Sequence, residues 1–266
     1  EERLTTWFDT FMPTLELRND TVAELMSDSA LVWITKYNFD GFRHDATKHI
    51  PMNFTRLLTE KIRAASDDHV YQIGETYGSD ELIASYVGSG KVDAQFNFNL
   101  YDAAFEAFTQ EGATFDRLRK ALESSLTYYG HHHLMGNISG NQDKPRFSSM
   151  ASGHLSISED SKLAGWTREI PKPNERGYRK MAVMHAFNIV VPGIPILYYG
   201  DEIALHGGND PDNRKMMPFD FSPRQQQLFD RIARLNENRS QIMALNYGST
   251  TVYQPEKRLL IIMRKY

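Results

Sequence analysis

The sequence predicts an α/β fold built on parallel strands, and three observations carry that reading. Short apolar runs alternate with segments of helical periodicity along most of the chain, the order that βαβ units produce. The runs end in polar or charged residues, and three of those ends carry the carboxylates Asp45, Glu75 and Asp143, as expected of a barrel whose site lies on the rim at the strands' C-terminal ends. A doubly wound sheet is the competing architecture, but no Gly-x-Gly-x-x-Gly follows any of the runs, which weakens a dinucleotide-binding reading.

Element by element, residues 21–37 (TVAELMSDSALVWITKY) predict an amphipathic helix. Val22, Leu25, Met26, Ala30, Val32 and Trp33 recur at three-to-four spacing, Thr21 and Glu24 supply a capping pattern, and Trp33 is expected in the core. FDGFRHD reads as a strand delivering charge at its end, followed by a helix over 53–66 and a second strand, HVYQIGE. KVDAQFNF, LMGNISGNQD and IPILYYGDE continue the strand series, with helices expected over 100–109, 115–128 and 176–190. After a helix over 223–238, the stretch YGSTTVYQPEKRLLIIMRKY predicts a β-hairpin turning near 255–257 and opening a separate β domain. The expected division is therefore 1–243 and 244–266.

Composition narrows the function. The 266 residues are 41% hydrophobic and 24% charged with a net charge of -4, the profile of an ordinary soluble globular protein and a poor match to a nucleic-acid partner. The absence of cysteine excludes disulfides, thiolate metal sites and a thiol nucleophile. No stretch approaches the roughly 18 consecutive apolar residues of a membrane span, and EERLTTWFDT has neither the basic nor the apolar segment of a signal peptide. The chain starts without Met and in mid-pattern, so a longer protein with further N-terminal sequence is expected.

The densest chemistry lies in YNFDGFRHDATKHI. Arg43 stands two residues before Asp45, on the same face of a strand, where its charge would keep that carboxylate ionised. Glu75, after its own apolar run, requires the opposite: burial and a neighbouring anion that keep it protonated. Two close carboxylates in opposite protonation states are what retaining glycoside hydrolysis needs. Each carboxylate taken singly has a structural alternative, Asp45 as a helix N-cap and the others as surface charges.

Taken together, GFRHDATKH, GET, GNQD and PGIPILYYGDE resemble, in order and spacing, the conserved segments of the α-amylase family of glycoside hydrolases, over nearly the whole chain. The resemblance implies a (β/α)8 TIM barrel, of which this chain would hold strands 4 to 8, followed by the start of an all-β C-terminal domain; the missing N-terminal half of the barrel would be its partner. It implies Asp45 as nucleophile, Glu75 as general acid and base, and Asp143 as a third carboxylate binding the distorted sugar. Arg43 would contact Asp45, Lys48 and His49 would line the leaving-group sites, and Asp210 and Arg214 in GGNDPDNR would hold the sugar one unit beyond the cleavage point. A structural calcium is implied through the backbone carbonyl of His49, with its other ligands outside this chain, and no organic cofactor. The family usually has Asn-His-Asp where this sequence has Asn141, Gln142 and Asp143; Gln142 cannot be a cation, so weaker transition-state stabilisation is expected.

Specificity hints diverge. MPTLE resembles a segment of neopullulanases, cyclomaltodextrinases and maltogenic amylases, whereas Lys48-His49 is more typical of α-amylases acting on starch. The alternatives to endo-hydrolysis of α-1,4-glucans are therefore neopullulanase or cyclomaltodextrinase activity, transglycosylation, or a glucan-binding homologue without turnover. Starch as substrate suggests a secreted or periplasmic protein. His131, His132 and His133 are expected in an exposed loop rather than on a metal, because adjacent residues of an extended segment cannot all face one ion. Asp210 and Asp212 could instead brace a Gly-rich loop, and Trp7 and Trp166, in loop-like contexts, could be sugar platforms.

Overall fold

The computed structural model describes Thr5 and residues 7–266. The chain divides into two compact units, Glu1–Phe96 with Leu134–Gly136, and Asn97–His133 with Asn137–Tyr266. The first unit opens with an antiparallel pair, β1 (Trp7–Asp9) and β2 (Met12–Pro13); the side chain of Trp7 lies outside what is described.

Helix α1 (Asp20–Thr35) is capped by Asn19 rather than by Thr21, because the Asn19 side chain accepts from the backbone N–H groups of Thr21 and Val22. Its inward face is Ala23, Ser27 and Ile34, packed against α2 (Met52–Ala65) and the buried Phe54, Leu58 and Ile62. The expected apolar stripe is therefore displaced. Leu25, Met26 and Val32 are exposed, and Trp33, expected in the core, is 48% exposed and packs on Tyr37 and Phe39. The small residues Ala23 and Ser27 let the two helices approach closely, and that packing outweighs the size of the neighbouring side chains.

Beside this helix pair, β3 (Gly41–His44), β4 (Tyr71–Gly74) and β5 (Ala94–Gln95) form a parallel sheet in that order. The register pairs Gly41 with Tyr71 and His44 with Gly74, so Asp45 and Glu75 leave the sheet at the same level. A short helix, α3 (Asp80–Ser85), capped by Ser79, precedes β5. The run KVDAQFNF yields only the two residues of β5, because Asn97 caps the next helix and Phe98 is fully buried in it.

In the second unit, α4 (Phe98–Thr109) packs on α5 (Asp116–Tyr129) and on the long helix α8 (Glu175–Val190). Strand β6 (Gly136–Ile138) pairs with β7 (Ile194–Ile196), and α6 (Phe147–Ala151) and α7 (Ser161–Thr167) lie between them in sequence. Each of the five runs read as a strand contains one, shorter than the run, in the three-stranded sheet or in this pair. Helix α9 (Pro223–Gln241) starts with a full capping box between Ser222 and Gln225 and with Pro223 in its first turn, then packs on α8. After α10 (Met243–Tyr247), strands β8 (Ser249–Glu256) and β9 (Leu259–Lys265) make the expected antiparallel hairpin, turning at Lys257-Arg258. Fully buried Phe98, Leu118, Leu122, Phe147 and Met181 form the interior.

Gly41 shows how tightly the parallel pair is set: a Cβ there would collide with the backbone carbonyl of Tyr71 on the neighbouring strand. Backbone cannot swing aside as a side chain can. Gly41→Ala is expected to destabilise the protein by about 1–3 kcal/mol, read as a lower denaturation midpoint; an unchanged midpoint would show that the strands have slack.

Candidate active site

In the first unit the aligned ends of β3 and β4 bring Arg43, Asp45 and Glu75 together. The Arg43 guanidinium pairs through Nη1 with Asp45 and through Nη2 with Glu75 Oε2, the latter at 2.6 Å. Asp45 is largely open to solvent, with 74% of its side chain exposed, whereas Glu75 keeps only 15%. Burial pushes the Glu75 carboxyl above its ordinary value; Arg43 and the Ala46 N–H oppose that, while the neighbouring Asp45 reinforces it.

The turn after β3 is held by its neighbour's backbone. Fully buried Thr47 accepts the Glu75 N–H at its Oγ1 (2.8 Å), donates that hydroxyl to His44 O, and gives its own N–H to Glu75 O. Ala46, between Asp45 and Thr47, adopts left-handed backbone angles (φ 44, ψ 46), a conformation that an alanine takes only when its surroundings enforce it. Beneath, a Cβ at Gly74 would meet the side chains of Gln95 and Thr47, so glycine is what lets the two strand ends close. His44, pushed down by burial, donates from Nε2 to Gln72 Oε1 at 3.1 Å. Lys48 donates to the Tyr77 carbonyl at 3.4 Å, and the His49 ring meets Phe8 edge-on at 5.0 Å.

The second unit assembles the remaining candidates separately. Past β6, Asn141 Oδ1 accepts the Asp143 N–H (2.9 Å) and the Gln142 amide donates to Asp143 Oδ2 (2.9 Å). Arg214 reaches Asp143 at 3.5 Å and Asp210 at 2.8 Å. Asp212 braces the Gly-rich loop, accepting the Gly208 N–H at 2.6 Å, while Asp210 also faces Lys162 at 3.7 Å. Trp166 lies on α7 rather than in a loop, and it is exposed.

Two buried residues outside the sequence-derived candidates organise this loop cluster. Asn213 donates to the carbonyls of Gln142 (2.9 Å) and Lys144 (2.8 Å). Arg146, with 1% of its side chain exposed, donates to Asn213 O, Tyr199 O and Asp201 Oδ1, and Asp201 also accepts from Ser139 at 2.6 Å. Arg146 also lies over the rings of Tyr198 and Tyr199. Asp201 stands inside PGIPILYYGDE and Arg146 three residues past GNQD; what the sequence could not signal was their burial.

Calcium takes six to eight oxygens, so the ion implied through the His49 carbonyl would draw its other ligands from outside this chain; no group of three or more His, Asp or Glu suited to a metal occurs among the described residues. The histidine run is likewise tied to protein: His131 Nδ1 accepts the Thr250 N–H, and burial pushes His133 down to about 4. His131 and His132 are exposed.

One guanidinium thus spans an open and a buried carboxylate at the ends of two parallel strands. The chain belongs to the alpha-amylase family: the model of the alpha-amylase catalytic domain matches residues 4–243. It is 28% identical over 248 residues to a cyclomaltodextrinase of Geobacillus thermopakistaniensis (strain MAS1), covering 91% of this chain and 38% of that protein. It is 30% identical over 222 residues to alpha-amylase 1 of Lipomyces kononenkoae, covering 83% of this chain and 30% of that one. The structure of the alpha-amylase of Geobacillus thermoleovorans, complexed with acarbose, superposes with a TM-score of 0.84 at 25% identity, over 100% of this chain and 54% of the other. The chain thus spans well under half the length of these two curated relatives.

The raised Glu75 value fixes a sign. A carboxyl that binds its proton more tightly when folded stabilises the protein below the ordinary carboxylate range, and that contribution is lost as pH rises through the raised value. Glu75→Gln is therefore expected to melt no earlier than wild type at neutral pH. Earlier melting would mean that the pair with Arg43 outweighs burial.

Proposed function

We propose that this chain is the C-terminal part of a retaining α-glucan hydrolase, with Asp45 as nucleophile and Glu75 as general acid and base. The observation that carries the reading is the single guanidinium of Arg43 holding an exposed and a buried carboxylate at adjacent strand ends. An Asp45 oxygen attacks the anomeric carbon as the bond to the leaving oxygen breaks, and Glu75 gives that oxygen its proton. The ionised Glu75 then takes a proton from water, whose oxygen displaces Asp45 and frees the sugar. In this reading Asp143, held by Gln142, Asn141 and Arg214, binds hydroxyls of the distorted sugar, and Asp210 and Arg214 hold the next unit. Lys48 and His49 line the side from which the leaving portion departs.

The strands are read as the fourth to eighth of a (β/α)8 barrel, with 244–266 opening a β domain and the first strands supplied by sequence upstream. The preferred reaction is endo-hydrolysis of α-1,4 bonds in starch-derived glucans by a secreted or periplasmic enzyme. Cyclomaltodextrinase or neopullulanase activity is the second reading, favoured by MPTLE and by the cyclomaltodextrinase relative. In transglycosylation a sugar hydroxyl would replace the attacking water. A glucan-binding homologue without turnover is the reading that Gln142 alone would suggest.

Reducing-sugar release by the parent polypeptide from soluble starch, pullulan and cyclodextrin, wild type beside Asp45→Asn, tests this. Wild-type turnover reduced at least about a thousandfold in the variant is expected. Faster release from cyclodextrin or pullulan than from starch would select the second reading, and maltooligosaccharide binding without turnover would leave only a binding protein.

A further inference from the structure

Away from the candidate site, helices α8 and α9 of the second unit enclose a groove of about 460 Å³, within the range of small-molecule pockets. Arg179 lines it from α8; Arg224, Arg231 and Arg234 line it from α9, on one face as their spacing requires. Leu228 and Ala182, both buried, form an apolar floor, and the partly buried Tyr178 stands beside them.

The charge is out of balance. The one carboxylate lining the groove, Glu175, is engaged by Arg224 at 3.3 Å. Arg179, Arg231 and Arg234 have no carboxylate partner among the described residues, although the chain carries a net charge of -4 and pairs Arg117, Arg119 and Arg168 with glutamates elsewhere. Lys180, next to Arg179, is pushed below its ordinary value by burial and then by Arg176, Arg258 and Arg179. A solvated cationic helix face needs no concavity. Here arginines from two helices line one open concavity, and the planar fork of arginine matches phosphate oxygens in pairs.

We propose that this groove binds a compact ligand carrying at least two phosphate groups, its oxyanions shared between Arg179 on one wall and Arg231 and Arg234 on the other. A linear oligophosphate, with oxyanions for both walls, is the appropriate probe. Arg224 is already occupied by Glu175.

Isothermal titration of sodium tripolyphosphate into the protein, beside orthophosphate and heparin, tests the proposal. Saturable one-to-one binding of tripolyphosphate is expected, at least tenfold tighter than orthophosphate. It should weaken at least tenfold in the double variant Arg231→Gln/Arg234→Gln and in Arg179→Gln, and stay unchanged in Arg56→Gln, an exposed cation on α2. All these side chains are exposed, and an unaltered melting curve without ligand would confirm that each variant folds. No binding, equal affinity for orthophosphate, affinity indifferent to the groove substitutions, or heparin bound more tightly than tripolyphosphate would each overturn it. The outcome is independent of whether Asp45 and Glu75 hydrolyse glucans.

Discussion

One guanidinium between two carboxylates sets the terms for the first unit. Arg43 can reach Asp45 and Glu75 together only because β3 and β4 are parallel and in register to their last residues. That register rests on close contacts: Gly41 against the Tyr71 backbone, Gly74 under Thr47, and Thr47 bonded to both strand ends. Ala46 bears the conformational cost, about 1–3 kcal/mol for a residue held in a sparsely populated region. The same cation acts on unequal environments. Asp45 meets it in solvent, while Glu75 meets it under burial that still holds the carboxyl above its ordinary value.

What was legible in the sequence was chemistry placed at the ends of apolar runs. Asp45, Glu75 and Asp143 follow such runs, and strand geometry explains why polar residues there emerge from the sheet rather than enter it. The hairpin at the end of the chain and the helices before it were legible because period and turn residues agree. Less was visible where several signals compete. Thr21 and Asn19 both satisfy the rules for a helix cap, and only backbone geometry selects Asn19. Trp33 lies one position, or about 100° of helix, from the buried Ile34, so a stripe drawn from side-chain size alone placed it inside although it is half exposed.

The polar residues that organise the loops were hidden for a different reason. Thr47, Arg146 and Asn213 act through burial and through bonds to backbone groups far away in sequence, and neither leaves a periodic trace. A carboxylate announces itself by breaking an apolar run; a buried threonine does not. Family resemblance points to the carboxylates, whereas the supports beneath them leave no mark in the sequence.

The Arg146–Asp201 pair has a consequence for how this protein can vary. One buried side chain closes the loop after β6, the loop after β7 and the Asn213 turn, so these three segments share a single anchor. A change at that root is felt by all of them at once, whereas Met216 and Phe219, further along and strongly exposed, can change one at a time. Variation is therefore accessible by small steps at the exposed residues of the loops and closed to such steps at their buried base.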